Sequence, residues 1–181
     1  MQKSFTVHAG LQLALSAVAL GASAYTAVPR LPSVPHEEVL LGIAFASLFP
    51  LHAATIFRSI ALESRVRGYA SSKTHQWRAL KALPHRVHAL LVVLFLAGGL
   101  LLSGLLSNDS GLQATHESRG RYFAVDTTDP LRPDIEVTRS RYEELSKQGQ
   151  RSMFAIYGLI AAGGGAVTLV LGKLHGWAGR P

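Results

Sequence analysis

Four apolar runs, none containing Asp, Glu, Lys or Arg, constrain this chain more than any other feature. They read AGLQLALSAVALGASAYTAV (residues 9–28), VLLGIAFASLFPLHAATIF (39–57), ALLVVLFLAGGLLLSGLLS (89–107) and MFAIYGLIAAGGGAVTLVLG (153–172). Each is 19 or 20 residues long. A helix of about 20 apolar residues crosses the hydrocarbon core of a bilayer. The helices of a soluble bundle would instead carry charges along one face. The pattern predicts an all-α membrane protein, a four-helix transmembrane bundle that forms a single integral membrane domain over residues 1–181.

Composition agrees. Hydrophobic residues make up 48% of the 181 positions and charged residues 16%, below the ~25% charged share of soluble domains. The mean hydropathy of +0.23 is low for a bare bundle, so polar segments must dilute the apolar runs. Cysteine is absent, which excludes disulfides, thiolate zinc sites and thiol catalysis. Met-Gln-Lys before the first run, with Ala22-Ser23-Ala24 near its end, also fits a cleaved signal peptide. The reading favoured is a retained first helix.

Orientation follows from basic residues near the ends of the runs. Segment 58–87 holds Arg58, Arg65, Arg67, Lys73, Arg78, Lys81 and Arg86 against one acid, Glu63. The 29–38 link has one arginine and two glutamates, and segment 108–152 balances seven basic residues with eight acids. The dense basic loop is assigned to the cytoplasm with both termini, and 29–38 and 108–152 to the outside, in a plasma membrane of bacterial inner-membrane type. The net charge of +7 is therefore a topology signal. Nucleic acid is not expected as a partner, because the basic residues sit between two spans without a recognition motif.

The polar segments have their own patterns. Three prolines in VPRLPSVPHEE make a stiff link between the first two helices. THQWRALKAL, with Trp77, Leu80 and Leu83 near one side and Pro84 after it, reads as a basic interfacial helix that meets anionic lipid headgroups. In the outer loop 108–152, RYFAV (121–125) and IEVTR (135–139) have strand composition, and DTTDPLRPD between them is turn chemistry, which predicts a small extracytoplasmic β-hairpin. Ser140 and Glu143 are spaced as a capping box for a helix running from Arg141 through Leu145, with a break at Gly149. Tyr122, Phe123, Glu136 and Tyr142 are the candidate contact residues of this loop. Asn108-Asp109-Ser110 is a glycosylation sequon pressed against a helix end, a sterically poor acceptor.

Small residues mark close helix packing: Ala17-x-x-x-Gly21, Gly98-Gly99, Gly158-x-x-x-Ala162-x-x-x-Ala166 and Gly163–Gly165. Eight histidines are many for this length. His8, His52, His85 and His88 cluster in depth at the cytoplasmic side, and His52 lies roughly 9 Å inside the end marked by Arg58. Inward-facing imidazoles can ligate haem or a metal, so these four are the candidate cofactor-binding residues, with haem the cofactor they would suit. The competing reading has His52 bond the carbonyl that Pro50 frees at residue 46. No phosphate loop, nucleophile elbow or H-E-x-x-H pair occurs, and the runs lack the carboxylate expected of a proton-coupled transporter. Ser47 lies five residues before His52 without a third partner for hydrolytic chemistry. The leading expectation is a non-enzymatic accessory or interaction subunit of a membrane assembly, bound to a protein partner or to further copies of itself. The alternatives are a haem- or metal-binding membrane protein and an oligomeric small-molecule exporter.

Overall fold

The computed structural model describes residues 3–28, 31–106 and 111–178. Its elements are α1 (Lys3–Thr26), α2 (Glu37–Arg65), α3 (Lys73–Lys81), α4 (His85–Leu106), β1 (Leu112–Ser118), β2 (Arg121–Asp126), β3 (Asp134–Val137) and α5 (Arg139–Ala178). α1, α2, α4 and α5 are long and apolar enough to cross a membrane. The sequon residues lie outside the described residues.

α5 is the central element. It touches α1, α2, α3, α4, β1 and β2. Its contact with α1 is close because small residues meet there. A Cβ added at Gly158 would lie 2.7 Å from Leu20 Cγ and 3.3 Å from the Ser16 carbonyl oxygen, and one at Gly165 would lie 2.9 Å from Leu13 Cδ2. α4 approaches the same helix at Gly98, where a Cβ would fall 2.5 Å from Leu159 Cδ2. Membrane helices associate through such close packing, because lipid tails give no hydrophobic drive between them. The α1 face that packs is Ala9, Gln12, Leu13, Ser16, Leu20 and Ser23. Ala17 and Gly21, expected in the packing seam, are exposed instead. Gly99 is also exposed, so of that pair only Gly98 packs.

α2 and α4 lie to the sides of this pair and leave broad apolar faces uncovered, with Phe49, Ile56, Phe57, Val93, Leu96 and Leu100 all exposed. Patches of this kind on a soluble monomer would be unusual, whereas on these helices they are what lipid would cover. At one end, here the basic-loop end, Phe5, Leu62, Ala70, Ala79, Leu171 and Leu174 form a buried cluster that seats α3 and the 66–72 turn. Glu63 holds that turn by accepting from the backbone N–H groups of Gly68, Ala70 and Ser71 and from the Ser71 hydroxyl. α4 starts directly after Pro84, four residues earlier than the apolar run.

At the opposite end the chain forms an antiparallel sheet of order β1-β2-β3. The expected hairpin is the β2–β3 pair, in which Tyr122 faces Val137 and Phe123 faces Glu136. β1 is an additional strand. Its sequence LQATHES lacks apolar alternation, and its register shifts between Ala114 and His116. The β1–β2 turn places Arg119 and Gly120 at φ values of 51° and 74°, the positive angles that a tight two-residue hairpin turn demands. α5 begins at Arg139, and the Thr138 hydroxyl rather than Ser140 accepts from the Arg141 N–H at 3.3 Å. Glu143 pairs with Arg139 at 2.9 Å instead of closing a capping box. The helix then runs unbroken through Gly149 for 40 residues, so it links the sheet rigidly to the helical body.

Gly158→Val is expected to destabilise the α1–α5 contact by about 1–3 kcal/mol, the cost of overpacking a filled interface. Gly163→Ala, where a Cβ meets nothing within 4 Å, is expected to be neutral or mildly stabilising. Thermal unfolding of the two variants in detergent checks the difference.

Candidate functional site

A polar seam lies between α1, α2 and α5. α1 supplies His8, Gln12 and Ser16, spaced four apart and therefore on one face. All three are buried. Three helices converge on Gly164 of α5, because a Cβ there would lie 2.7 Å from both Gln12 Nε2 and His52 Nε2. Glycine at this position is what lets the amide and the imidazole sit side by side. One turn further along α5, the Thr168 hydroxyl donates to Gln12 Oε1 at 3.0 Å and lies 2.9 Å from Thr55 Oγ1. Thr55 also reaches the Leu51 carbonyl at 3.0 Å. Two hydroxyl protons thus serve three contacts, so one contact lacks a proton at any moment.

The hydrogen bonds fix the histidine roles. His52 Nδ1 lies 3.0 Å from the Leu48 carbonyl oxygen, which can only accept. Nδ1 therefore carries the proton, and Nε2 offers a lone pair beside Gln12. The carbonyl used is that of Leu48, four residues back, and not the one at residue 46 expected from Pro50. Arg58 Nη1 donates to His8 Nδ1 at 2.7 Å, which places the His8 proton on Nε2. The guanidinium also lies 4.7 Å over the Phe5 ring, and among the described residues no carboxylate pairs with it. His8 Nε2, Gln12 Nε2 and Ser16 Oγ are buried without a protein partner.

The seam continues toward the sheet end. Ser47 donates to the Ala44 carbonyl at 2.7 Å and lies 3.2 Å from the Tyr157 hydroxyl, away from His52. Ser23 donates to the Arg151 carbonyl at 2.8 Å, and Arg151 Nη2 donates to the Thr26 carbonyl at 3.1 Å. Gln150 Oε1 accepts from the Val34 N–H at 3.0 Å, tying the proline link to α5. Gln12, Thr168 and Arg151 were not singled out in the sequence. A lone glutamine or threonine in an apolar run is the signal that could have marked two of them.

The four histidines do not form one group. His8 and His52 belong to the seam. His85 is exposed and His88 half-buried on α4, their rings 6.5 Å apart. Among the described residues no three His, Asp or Glu side chains gather to hold a metal ion.

The candidate contact residues of segment 108–152 divide between two faces. The Tyr122 ring lies 5.2 Å from that of Tyr142, joining β2 to α5 beside the buried Ala124 and Leu145. Phe123 and Glu136, paired across β2–β3, lie on the other face. There Phe123 stacks on His116 with centroids 4.9 Å apart, and Glu136 sits 3.6 Å from Arg121. The turn after β2 is braced by Asp126 Oδ1, which accepts from the Thr128 hydroxyl at 2.6 Å and the Thr128 N–H at 2.8 Å. These bonds favour the charged form and hold the Asp126 carboxyl below its ordinary value of 3.8.

With this geometry in place, comparison with protein-family models, curated proteins and solved structures yields no match.

Two measurements probe these sites. Thr168→Val is expected to cost about 1 kcal/mol, in the range of hydrogen bonds between membrane helices. The double variant Gln12→Leu/Thr168→Val should cost less than the sum of the two single changes, as read by denaturant titration. For Asp126, a depressed folded pKa means a contribution that is complete above the ordinary aspartate value and lost as pH falls through the lowered one. Amide exchange at Thr128 should therefore show protection on lowering the pH to 3.8 and lose it below. Asp126→Ala should remove the protection at every pH.

Proposed function

We propose that the chain is a non-enzymatic interaction subunit of a membrane assembly, with its three-stranded sheet as the contact element outside a plasma membrane and its basic loop on the cytoplasmic side. The observation that carries this reading is the division of the sheet's two faces. One face is fixed to α5 through Tyr122 and Tyr142. The other presents the Phe123–His116 stack flanked by Arg121 and Glu136, and the adjoining loop holds Leu131 at 87% exposure. An aromatic centre with a charged rim is the usual make-up of a protein contact. A sheet joined to the helices by an unbroken helix is also a rigid presenter, so little ordering entropy is lost on binding. The polar seam fits the same role, since hydrogen bonds inside a membrane bundle hold helices in one arrangement. The basic loop supports the orientation by the positive-inside rule.

The test is capture from native membranes in mild detergent with crosslinking. A stoichiometric partner, or a defined oligomer of this chain, is expected, and it should fall away with Phe123→Glu. A clean monomer with no crosslinked neighbour would refute the reading.

A further inference from the structure

A groove of about 380 Å³ opens between α3 and α5 at the basic-loop end, within the ~300–1,000 Å³ of small-molecule sites. Its floor is apolar: Ala70, Leu80, Val170 and Leu171. Two of these, Ala70 and Leu171, belong to the buried cluster beneath α3, so the floor is part of the fixed core. Val167 of α5 lines the groove and is exposed on its outer side. The groove therefore opens toward the face on which a bilayer would lie. At the rim stand Lys73 and Trp77.

The charge of that rim is unbalanced. Lys73 makes no ion pair among the described residues. It stands in the first turn of α3, the end where the helix dipole is positive. Lys81 lies 5.0 Å over the Trp77 ring, and Arg65, Arg67 and Arg78 are exposed nearby in the chain. The one acid of segment 58–87, Glu63, is engaged by the 66–72 turn. An apolar trough that opens sideways, with a lysine and a tryptophan at its mouth, matches a molecule with a hydrocarbon tail and an anionic head. Tryptophan favours this boundary because its ring is apolar and its N–H polar.

We infer that the α3–α5 groove binds one anionic phospholipid, its acyl chain along Leu80, Val170 and Leu171 and its phosphate at Lys73. The site deepens the general attraction of a basic loop to an anionic surface into a single bound lipid. It does not rest on the reading of the outer sheet.

The test reads Trp77 fluorescence in a Trp177→Phe background, with the protein in nanodiscs containing brominated phosphatidylglycerol or, at the same fraction, brominated phosphatidylcholine. Quenching by the anionic lipid is expected to report affinity on the order of fivefold higher, the effect of one lysine near the headgroups. Lys73→Ala should abolish the preference. Val170→Phe, which fills the trough and leaves the rim charge in place, should reduce quenching by both lipids. Circular dichroism and size exclusion confirm that each variant is folded. Equal quenching by the two lipids, a preference that survives Lys73→Ala, or quenching unchanged by Val170→Phe, in folded protein, would overturn the assignment.

Discussion

The close approach of α1 to α5 is the constraint on which the rest of the molecule depends. It requires glycine at positions 158 and 165, where any Cβ would strike Leu20 or Leu13. Once the two backbones are that near, the polar side chains between them cannot reach water. Partners within the protein are then in demand, because an unsatisfied polar group in an apolar medium costs several kcal/mol, although His8 Nε2, Gln12 Nε2 and Ser16 Oγ find none. Thr168, Gln12 and Thr55 meet this demand by bonding one another across three helices. The seam is thus a consequence of packing as well as a device that fixes it, since sliding α1 by one turn would break the Gln12–Thr168 bond.

Arg58 and His8 close the seam at the basic-loop end. A guanidinium without a carboxylate is tolerated there because Phe5 supplies a π-face and His8 a lone pair. This arrangement takes His8 Nδ1 out of use as a ligand, and the Leu48 carbonyl does the same for His52 Nδ1. Both histidines of the seam enter its hydrogen bonds through Nδ1, and those of α4 stand apart from them.

The long unbroken α5 connects two parts of the fold. Over its first turns it carries the small three-stranded sheet, and over its remainder it is the axis of the helical body. That continuity was not legible in the sequence. Gly149 and the polar run around it suggest a break, yet the helix persists because Leu145, Gln150 and Phe154 are buried on one side, and tertiary contacts outweigh the roughly 1 kcal/mol disfavour of a glycine. β1 was equally hidden. Five of its seven residues are polar, and the sheet fixes it through backbone pairing with β2 and a tight Arg119-Gly120 turn. The β2–β3 pair was legible because its aromatic and β-branched residues flank a proline-rich turn.

The sequence by itself determined that four helices are long and apolar enough to cross a membrane, that a basic helix separates the second from the third, and that a β-hairpin lies before the last. Runs of uncharged residues and turn chemistry are local properties, readable one segment at a time. Only the tertiary structure decided which face of each helix turns inward. On α1 small and apolar residues occupy both faces, so Ala17 and Gly21 look as fit for packing as Ala9 and Ser16. The choice is made by what α5 offers opposite them: glycines at the points of approach and a threonine for Gln12. The same choice brought His52 to Gly164 and left His85 and His88 outside, because the rotation of an apolar helix is set by its neighbours and not by its hydropathy.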